Sequence, residues 1–219
     1  MSIDEKNIGR RAFIGLVLAG LIALFVGKDI FARVTSGASS GGATSGFRIN
    51  SVKQGPPFDE ATWRMTVDGL VGNPFSLTYS QFTDLPTTKV VRDFYCVEGW
   101  GVRACEWKGV AVTELMERAK IDSQATRLVF HSGDGVYTDS LTLEQAGLED
   151  VLLVYELNGA PLPPDMGQPV RLIYPGHYGY KYVKWVERVE AINEKDTPFT
   201  GYWEGYGYSD DATIAGAVQ

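Results

Sequence analysis

The chain has 219 residues, 44% of them apolar or aromatic, with 20 Lys/Arg against 27 Asp/Glu, two cysteines and two histidines. That length buries a substantial core as one domain, or as one domain with a tether. A net charge of −7 argues against a nucleic-acid partner and suits a soluble body or a docking face for a basic partner, while so few Cys and His residues exclude a zinc or iron–sulfur site of the usual spacing.

Residues 1–8 are polar. Gly9-Arg10-Arg11-Ala12-Phe13-Ile14-Gly15 then opens an uncharged run from Ala12 to Gly27. Paired arginines, an aromatic residue and an apolar stretch resemble a twin-arginine export signal, with an ordinary signal or anchor as the other reading. Sixteen residues rise about 24 Å as a helix, short of a hydrocarbon core of about 30 Å, which favours a signal over a full span. Ser36-Gly37-Ala38 offers small residues for cleavage but lies well past the run. A cleaved signal and an uncleaved membrane tether therefore both stay open, and either one leaves the body outside the cytoplasmic membrane. Residues 1–34 are assigned to this element, the Ser/Gly-rich stretch 35–46 to a flexible linker, and 47–219 to the domain.

In the domain, Trp63 to Gly69 alternates apolar and polar residues as a half-buried strand does, and Phe75 to Tyr79 reads as a second strand followed by a helical turn before Pro86. Val90 to Tyr95 is a third, and it delivers Cys96 into a segment loosened by Gly99 and Gly101. Val112, Leu115, Met116 and Ala119 mark one apolar helix face. Arg127–Ser132 and Val136–Leu141 are strands joined by Gly133-Asp134-Gly135, and Thr142-Leu-Glu-Gln145 has the spacing of a capping box. Val151–Leu157 is a buried strand ended by Asn158-Gly159, beyond which Pro161, Pro163 and Pro164 are expected to forbid regular pairing. Val170–Tyr174 and Tyr182–Ile192 complete the strands. Short strands outnumber helices without strict βαβ alternation, so the expected class is α+β with mixed β-sheets and short helices.

Cysteine at a strand end is by itself more often a small buried apolar residue than a reactive one. However, Cys96-Val-Glu-Gly-Trp100 with Trp107-Lys-Gly-Val behind it, and Gly167-Gln-Pro-Val-Arg171 continuing through Pro175-Gly176 to Val183-Lys184-Trp185, resemble two signatures of the sulfite oxidase-like molybdopterin oxidoreductases. They are similar above all to the bacterial periplasmic methionine-sulfoxide-reductase branch. The resemblance runs from about Phe47 to Tyr208 and implies the sulfite oxidase-type molybdopterin-binding fold.

It also implies a molybdenum–molybdopterin cofactor. Because such a cofactor brings most of its own coordination, one soft thiolate suffices from the protein, and Cys96 holds that position. A disulfide between Cys96 and Cys105 would compete with that role; Cys105 is otherwise read as a buried, inert thiol. For the cofactor's phosphate, Arg171 offers a planar fork of donors and Lys184 a point charge. Tyr182 and Val183 are implied as backbone contributors, with Lys181, Arg48, Asn50 and Ser132 as further cofactor contacts. Relatives often carry Asn or His where Met166 stands, which leaves Asp165 or Gln168 to replace it. His131 is left unassigned, and His177, in the signature loop, either faces the cofactor or makes a structural hydrogen bond.

Sulfite oxidases carry an arginine where Gly101 stands, with Arg103 as a possible substitute only if the loop folds back. The sulfoxide-reducing branch carries Glu where Glu98 stands, either to relay a proton or as a hydrogen-bonded loop acid. The reading is thus an exported mononuclear molybdenum oxidoreductase that reduces a small-molecule or protein-bound sulfoxide or related S- or N-oxide. Two alternatives stand beside it: sulfite oxidation, and a non-catalytic membrane-tethered binding domain. With no haem-attachment or flavin motif, electrons are expected from a separate membrane haem protein or soluble cytochrome. The aromatic run Gly201 to Tyr208 either wraps the domain or lines the substrate mouth.

Overall fold

The computed structural model describes residues 40–214, so the stretch read as an export signal or tether, 1–34, and the start of the expected linker lie outside the described residues. The chain divides into two units, residues 1–45 and 46–219. In the first, Ser40–Ala43 forms a single helical turn, α1, where a wholly irregular linker was expected. All that follows concerns the second.

Its elements in chain order are β1 (Arg64–Gly69), β2 (Phe75–Thr78), α2 (Tyr79–Thr83), β3 (Thr87–Tyr95), β4 (Gly101–Ala111), α3 (Val112–Ala119), β5 (Arg127–Ser132), β6 (Thr138–Thr142), α4 (Leu143–Ala146), β7 (Leu152–Leu157), β8 (Ala160–Pro161), β9 (Arg171–Ile173) and β10 (Val186–Ile192). One sheet runs β2-β1-β10-β5-β6; a second runs β3-β4-β7-β8, with β9 also paired to β7. In the first sheet β1 and β10 are parallel and the other pairs antiparallel, and the second sheet is antiparallel throughout. The expected α+β class with mixed sheets holds.

Local chemistry accounts for most of these elements. In β1, Met65 and Val67 point inward while Thr66 and Asp68 are partly exposed, the two-residue period of a strand with one buried face. Leu152 to Tyr155 in β7 are all buried, as befits a strand covered on both sides. Helices α2 and α4 both begin with a complete capping box, Thr78 with Gln81 and Thr142 with Gln145, in which two orphan backbone donors are satisfied reciprocally. The predicted stripe of α3 packs inward through Val112, Leu115 and Ala119. Trp107, Phe82 and Phe130 are the largest fully buried apolar side chains.

Three expectations need correction. The glycine-loosened segment after Cys96 is a short turn, and Gly101 already begins β4, the longest strand, at 11 residues. Pairing does continue past Asn158-Gly159, since Ala160 and Pro161 oppose Leu157 and Glu156. A proline is tolerated there because β8 lies at a sheet edge, where its missing N–H breaks no ladder. Tyr182–Trp185 is not strand: a 3-10 turn spans Gly179–Lys181, Trp185 has φ +52°, and β10 begins only at Val186.

Candidate functional site

Strands β3 and β4 form a hairpin whose tip carries Cys96. A bulge between Arg92 and Phe94 shifts the register, and the Asp93 carboxylate accepts the Ala104 N–H at 2.8 Å, so the hairpin twists before it closes. The turn itself is held by Cys96 N–H donating to the Trp100 carbonyl at 2.8 Å and by Gly99 N–H donating to the Cys96 carbonyl at 3.1 Å. Gly99 sits at φ +86°, a conformation that favours glycine. This turn presents Cys96, Glu98 and Trp100 to a cavity of about 510 Å³.

Both cysteines are free, so the disulfide alternative is excluded. Burial pushes the Cys96 thiol upward, and the Glu98 carboxylate adds to that. Glu98 Oε2 accepts from Trp100 Nε1 at 3.1 Å and from Asn50 Nδ2 at 3.0 Å, with Cys96 Sγ 3.8 Å away. These donors hold the carboxyl below its usual range. Among the two roles open for Glu98, its resting state is therefore the hydrogen-bonded anion.

Arg171, at the start of β9, is only 4% exposed and also lines the cavity. Its guanidinium donates to the carbonyls of Met166 (3.1 Å) and Tyr182 (3.4 Å) and lies 5.7 to 6.0 Å from the ring centroids of Trp107, Phe94 and Tyr182. Its Nε has no partner, and no carboxylate forms an ion pair with it among the described residues. Burial depresses it to about 10.

Lys184 Nζ donates to the Asn50 carbonyl (2.8 Å), the Asp165 carbonyl (3.0 Å) and the Ser51 hydroxyl. Despite these acceptors, burial and then the neighbouring Arg171 charge pull it to about 8. Two desolvated cations in one cavity without a carboxylate partner are costly unless an anion joins them. Gly179 makes the packing here possible, because a Cβ at that position would lie 2.3 Å from the Phe94 ring.

The remaining wall is aromatic. Tyr137, Tyr180, Tyr202, Trp203 and Tyr208 line the cavity; Tyr137 stacks on Tyr202 at 5.5 Å, and Tyr208 contacts both Trp203 (5.2 Å) and Tyr180 (5.3 Å). The Gly201–Tyr208 run does both things open to it: Tyr202, Trp203 and Tyr208 line the cavity, and the run lies on the domain through the Tyr202 N–H bond to the Thr138 carbonyl.

Residues 52–203 match the family described as oxidoreductase molybdopterin binding domain. The chain belongs to this family. Among similar proteins, the uncharacterized oxidoreductase YuiH of Bacillus subtilis is 31% identical over 166 residues, 75% of this chain and 82% of that one. The putative protein-methionine-sulfoxide reductase subunit YedZ1 of Azospira oryzae is 31% identical over 151 residues, and the protein-methionine-sulfoxide reductase catalytic subunit MsrP of Campylobacter jejuni 27% over 169. The aligned region covers 69% and 70% of this chain but only 56% of each of those two relatives. In fold the chain is similar to the sulfane dehydrogenase SoxCD of Paracoccus pantotrophus, with a TM-score of 0.58 at 23% identity over 63% of this chain and 40% of the other.

Such a molybdopterin-binding domain implies the molybdenum–pterin group, and the residues present fit it: a free cysteine opens on the same cavity as a buried guanidinium with an orphaned Nε. Of the residues expected at the site, Arg48, Asn50, Cys96, Glu98, Ser132, Arg171, Tyr182 and Lys184 all line this cavity. Two do not. The Lys181 ammonium is buried among Asp139, Glu204 and Asp210, because a desolvated cation is drawn to the nearest carboxylates. Val183 is not in the cavity lining, and its N–H and carbonyl are bonded to the Lys181 carbonyl and the Leu172 N–H.

Arg103 lies on β4 and is not among the residues that line the cavity. Met166 contributes its carbonyl to Arg171, and Asp165, rather than Gln168, joins the lining. His177 stacks on Tyr174 at 3.5 Å and bonds the Pro175 carbonyl, while His131 pairs with Glu190; both are structural. Sequence reasoning missed Phe94 and Tyr137, which carried only the signature of strand residues.

Proposed function

We propose that this protein is an exported mononuclear molybdenum oxidoreductase that removes an oxygen atom from a sulfoxide or a related S- or N-oxide. The observation that carries the reading is one cavity holding a soft thiol, Cys96, together with two cations that lack carboxylate partners, Arg171 and Lys184. Thiolates suit a metal that arrives with its own chelate, and cations in a desolvated wall suit its phosphate.

When bound, the molybdenum–pterin group supplies the two-electron change and the oxygen-atom transfer. The chain supplies the rest. Cys96 would hold the metal as a thiolate, having given up its proton. Arg171 and Lys184 would offer their positive charge to its phosphate. Glu98, held as an anion by Asn50 and Trp100, is positioned to accept a proton at a carboxylate oxygen and return it as the substrate loses oxygen. The aromatic wall offers rings of the kind that sulfur favours. Gly101, where sulfite oxidases carry arginine, weakens a sulfite reading; relatives named as methionine-sulfoxide reductases support the reductive one.

Electrons come from a separate haem protein, on the membrane or soluble, and the naming of two relatives as subunits supports such a partner. The twin-arginine-like leader supports an extracytoplasmic location. The test is to purify the protein from a host that makes the cofactor, measure molybdenum and pterin per chain, and compare oxidation of a reduced dye by methionine sulfoxide with cytochrome reduction by sulfite. One metal per chain and activity in the first assay are expected. Activity only in the second overturns the substrate assignment, and a metal-free protein favours the binding domain.

A further inference from the structure

Lys181 is fully buried, with 0% of its surface exposed. Its ammonium donates all three protons to carboxylates: Asp139 Oδ1 at 2.6 Å, Glu204 Oε1 at 2.9 Å and Asp210 Oδ1 at 3.0 Å. The three carboxylates lie close enough together to suggest a metal cage, but the ammonium already takes the place of a cation there. More informative is where the partners come from. Asp139 is on β6, whereas Glu204 and Asp210 both belong to the C-terminal strap, residues 201–214. Arg127 on β5 adds a second grip by pairing with Asp210.

The strap's backbone is fastened near its ends, by Tyr202 N–H to the Thr138 carbonyl (2.9 Å), Tyr178 N–H to the Ala212 carbonyl (2.9 Å) and Ile214 N–H to the Gly176 carbonyl (3.2 Å). Between Tyr202 and Ser209, which carry Trp203 and Tyr208 into the cavity, the fastening to the rest of the domain is largely by side chains. Lys181 itself ends the 3-10 turn Gly179–Lys181, in the loop whose Tyr180, Tyr182 and Lys184 line the same cavity.

We propose that Lys181 is a positioning residue: its ammonium pins the strap bearing Tyr202, Trp203 and Tyr208 to the loop bearing Tyr180, Tyr182 and Lys184, and so sets the width of the substrate mouth. The effect on catalysis rests on the oxide-reducing reading given above; the pinning does not. The strap and the loop also meet through the Tyr180 hydroxyl, which donates to the Ser209 carbonyl at 2.6 Å, and through the Tyr180–Tyr208 ring contact. The buried charge shared between them adds what those exposed contacts cannot, since side chains held by buried charge-assisted hydrogen bonds lose the freedom to repack.

The test compares the cofactor-loaded wild type with Lys181→Met and Lys181→Arg, by amide hydrogen exchange and by steady-state kinetics with methionine sulfoxide and with the smaller dimethyl sulfoxide. In Lys181→Met the amides of Tyr202 and Ile214 are expected to exchange at least ~10-fold faster while those of β4 and β7 are unchanged. KM for methionine sulfoxide is expected to rise ~10-fold, that for dimethyl sulfoxide less than ~3-fold, and Lys181→Arg to recover part of the loss. If Lys181→Met fails to fold, Glu204→Gln carries the same comparison, because it keeps Lys181 paired with Asp139 and Asp210 and weakens only the strap's side. Strap amides that exchange as in the wild type, or a KM that moves equally for both oxides, overturn the proposal. Should the wild type turn over neither oxide, the functional reading falls and the exchange data alone decide the pinning.

Discussion

The Asn50 side-chain amide lies 3.0 Å from Glu98 Oε2, the same oxygen that Trp100 Nε1 reaches at 3.1 Å. Residues from the domain's first segment and from the β3–β4 tip thus converge on one carboxylate beside Cys96. If that carboxylate handles a proton, Glu98→Gln keeps the hydrogen-bonding shape but removes the base, and kcat falls ~100-fold or more at unchanged molybdenum content. Metal analysis beside dye-coupled kinetics checks this, and Cys96→Ser is expected to lower the metal content itself.

Arg171 places a buried positive charge where no carboxylate answers it. An anion that binds only the folded state adds stability as RT ln(1 + [L]/Kd), about 2.7 kcal/mol at 100 times Kd. Inorganic pyrophosphate is therefore expected to raise the melting temperature of the cofactor-free protein, and to do so markedly less for Arg171→Met. Differential scanning fluorimetry across a pyrophosphate series reads the difference.

Lys184 makes that binding depend on pH. Its folded pKa, about 8, lies below the usual 10.5, so the fold disfavours the charged form. In the cofactor-free protein this penalty is fully present below pH 8 and relieved as pH rises toward 10.5. An anion seated beside the ammonium reverses the preference, so binding takes up a proton and pyrophosphate affinity declines as pH rises through about 8. Calorimetry in two buffers of different ionisation enthalpy measures the proton uptake, and Lys184→Met is expected to abolish it.

Gly179 lies flat against Phe94, and any Cβ there would meet the ring at 2.3 Å. Gly179→Ala must push Phe94 or the 3-10 turn aside, at a cost of about 1–3 kcal/mol. Because Phe94 also stacks near Arg171, cofactor content is expected to fall with stability. Urea denaturation and metal analysis on one preparation check both.

Much of the fold could be read from periodicity and punctuation. Met65 and Val67 alternate with polar residues, and the Thr142–Gln145 capping box stands where Thr and Gln are three apart, because these signals are local. The extent of β4 was hidden because its glycines speak for a loop, while its pairing with β3 and β7 is decided by partners far along the chain. The site shows the same division. Cys96, Arg171 and Lys184 were visible as motif positions, and all three line one cavity. Lys181 lies in the same signature but points away, since its direction is set by Asp139, Glu204 and Asp210, residues 23 to 42 positions distant. No neighbouring residue announces that pairing.

The two thiols differ in a way that is useful at the bench. Cys105 is sealed in the core, its acidity pushed to about 11 by burial, whereas Cys96 opens on the cavity. An alkylating reagent applied to the native protein should therefore modify a single sulfur, and only in molecules where that sulfur is not already engaged by metal. The labelled fraction, weighed by intact mass spectrometry, becomes a direct census of how many copies in a preparation still await their prosthetic group.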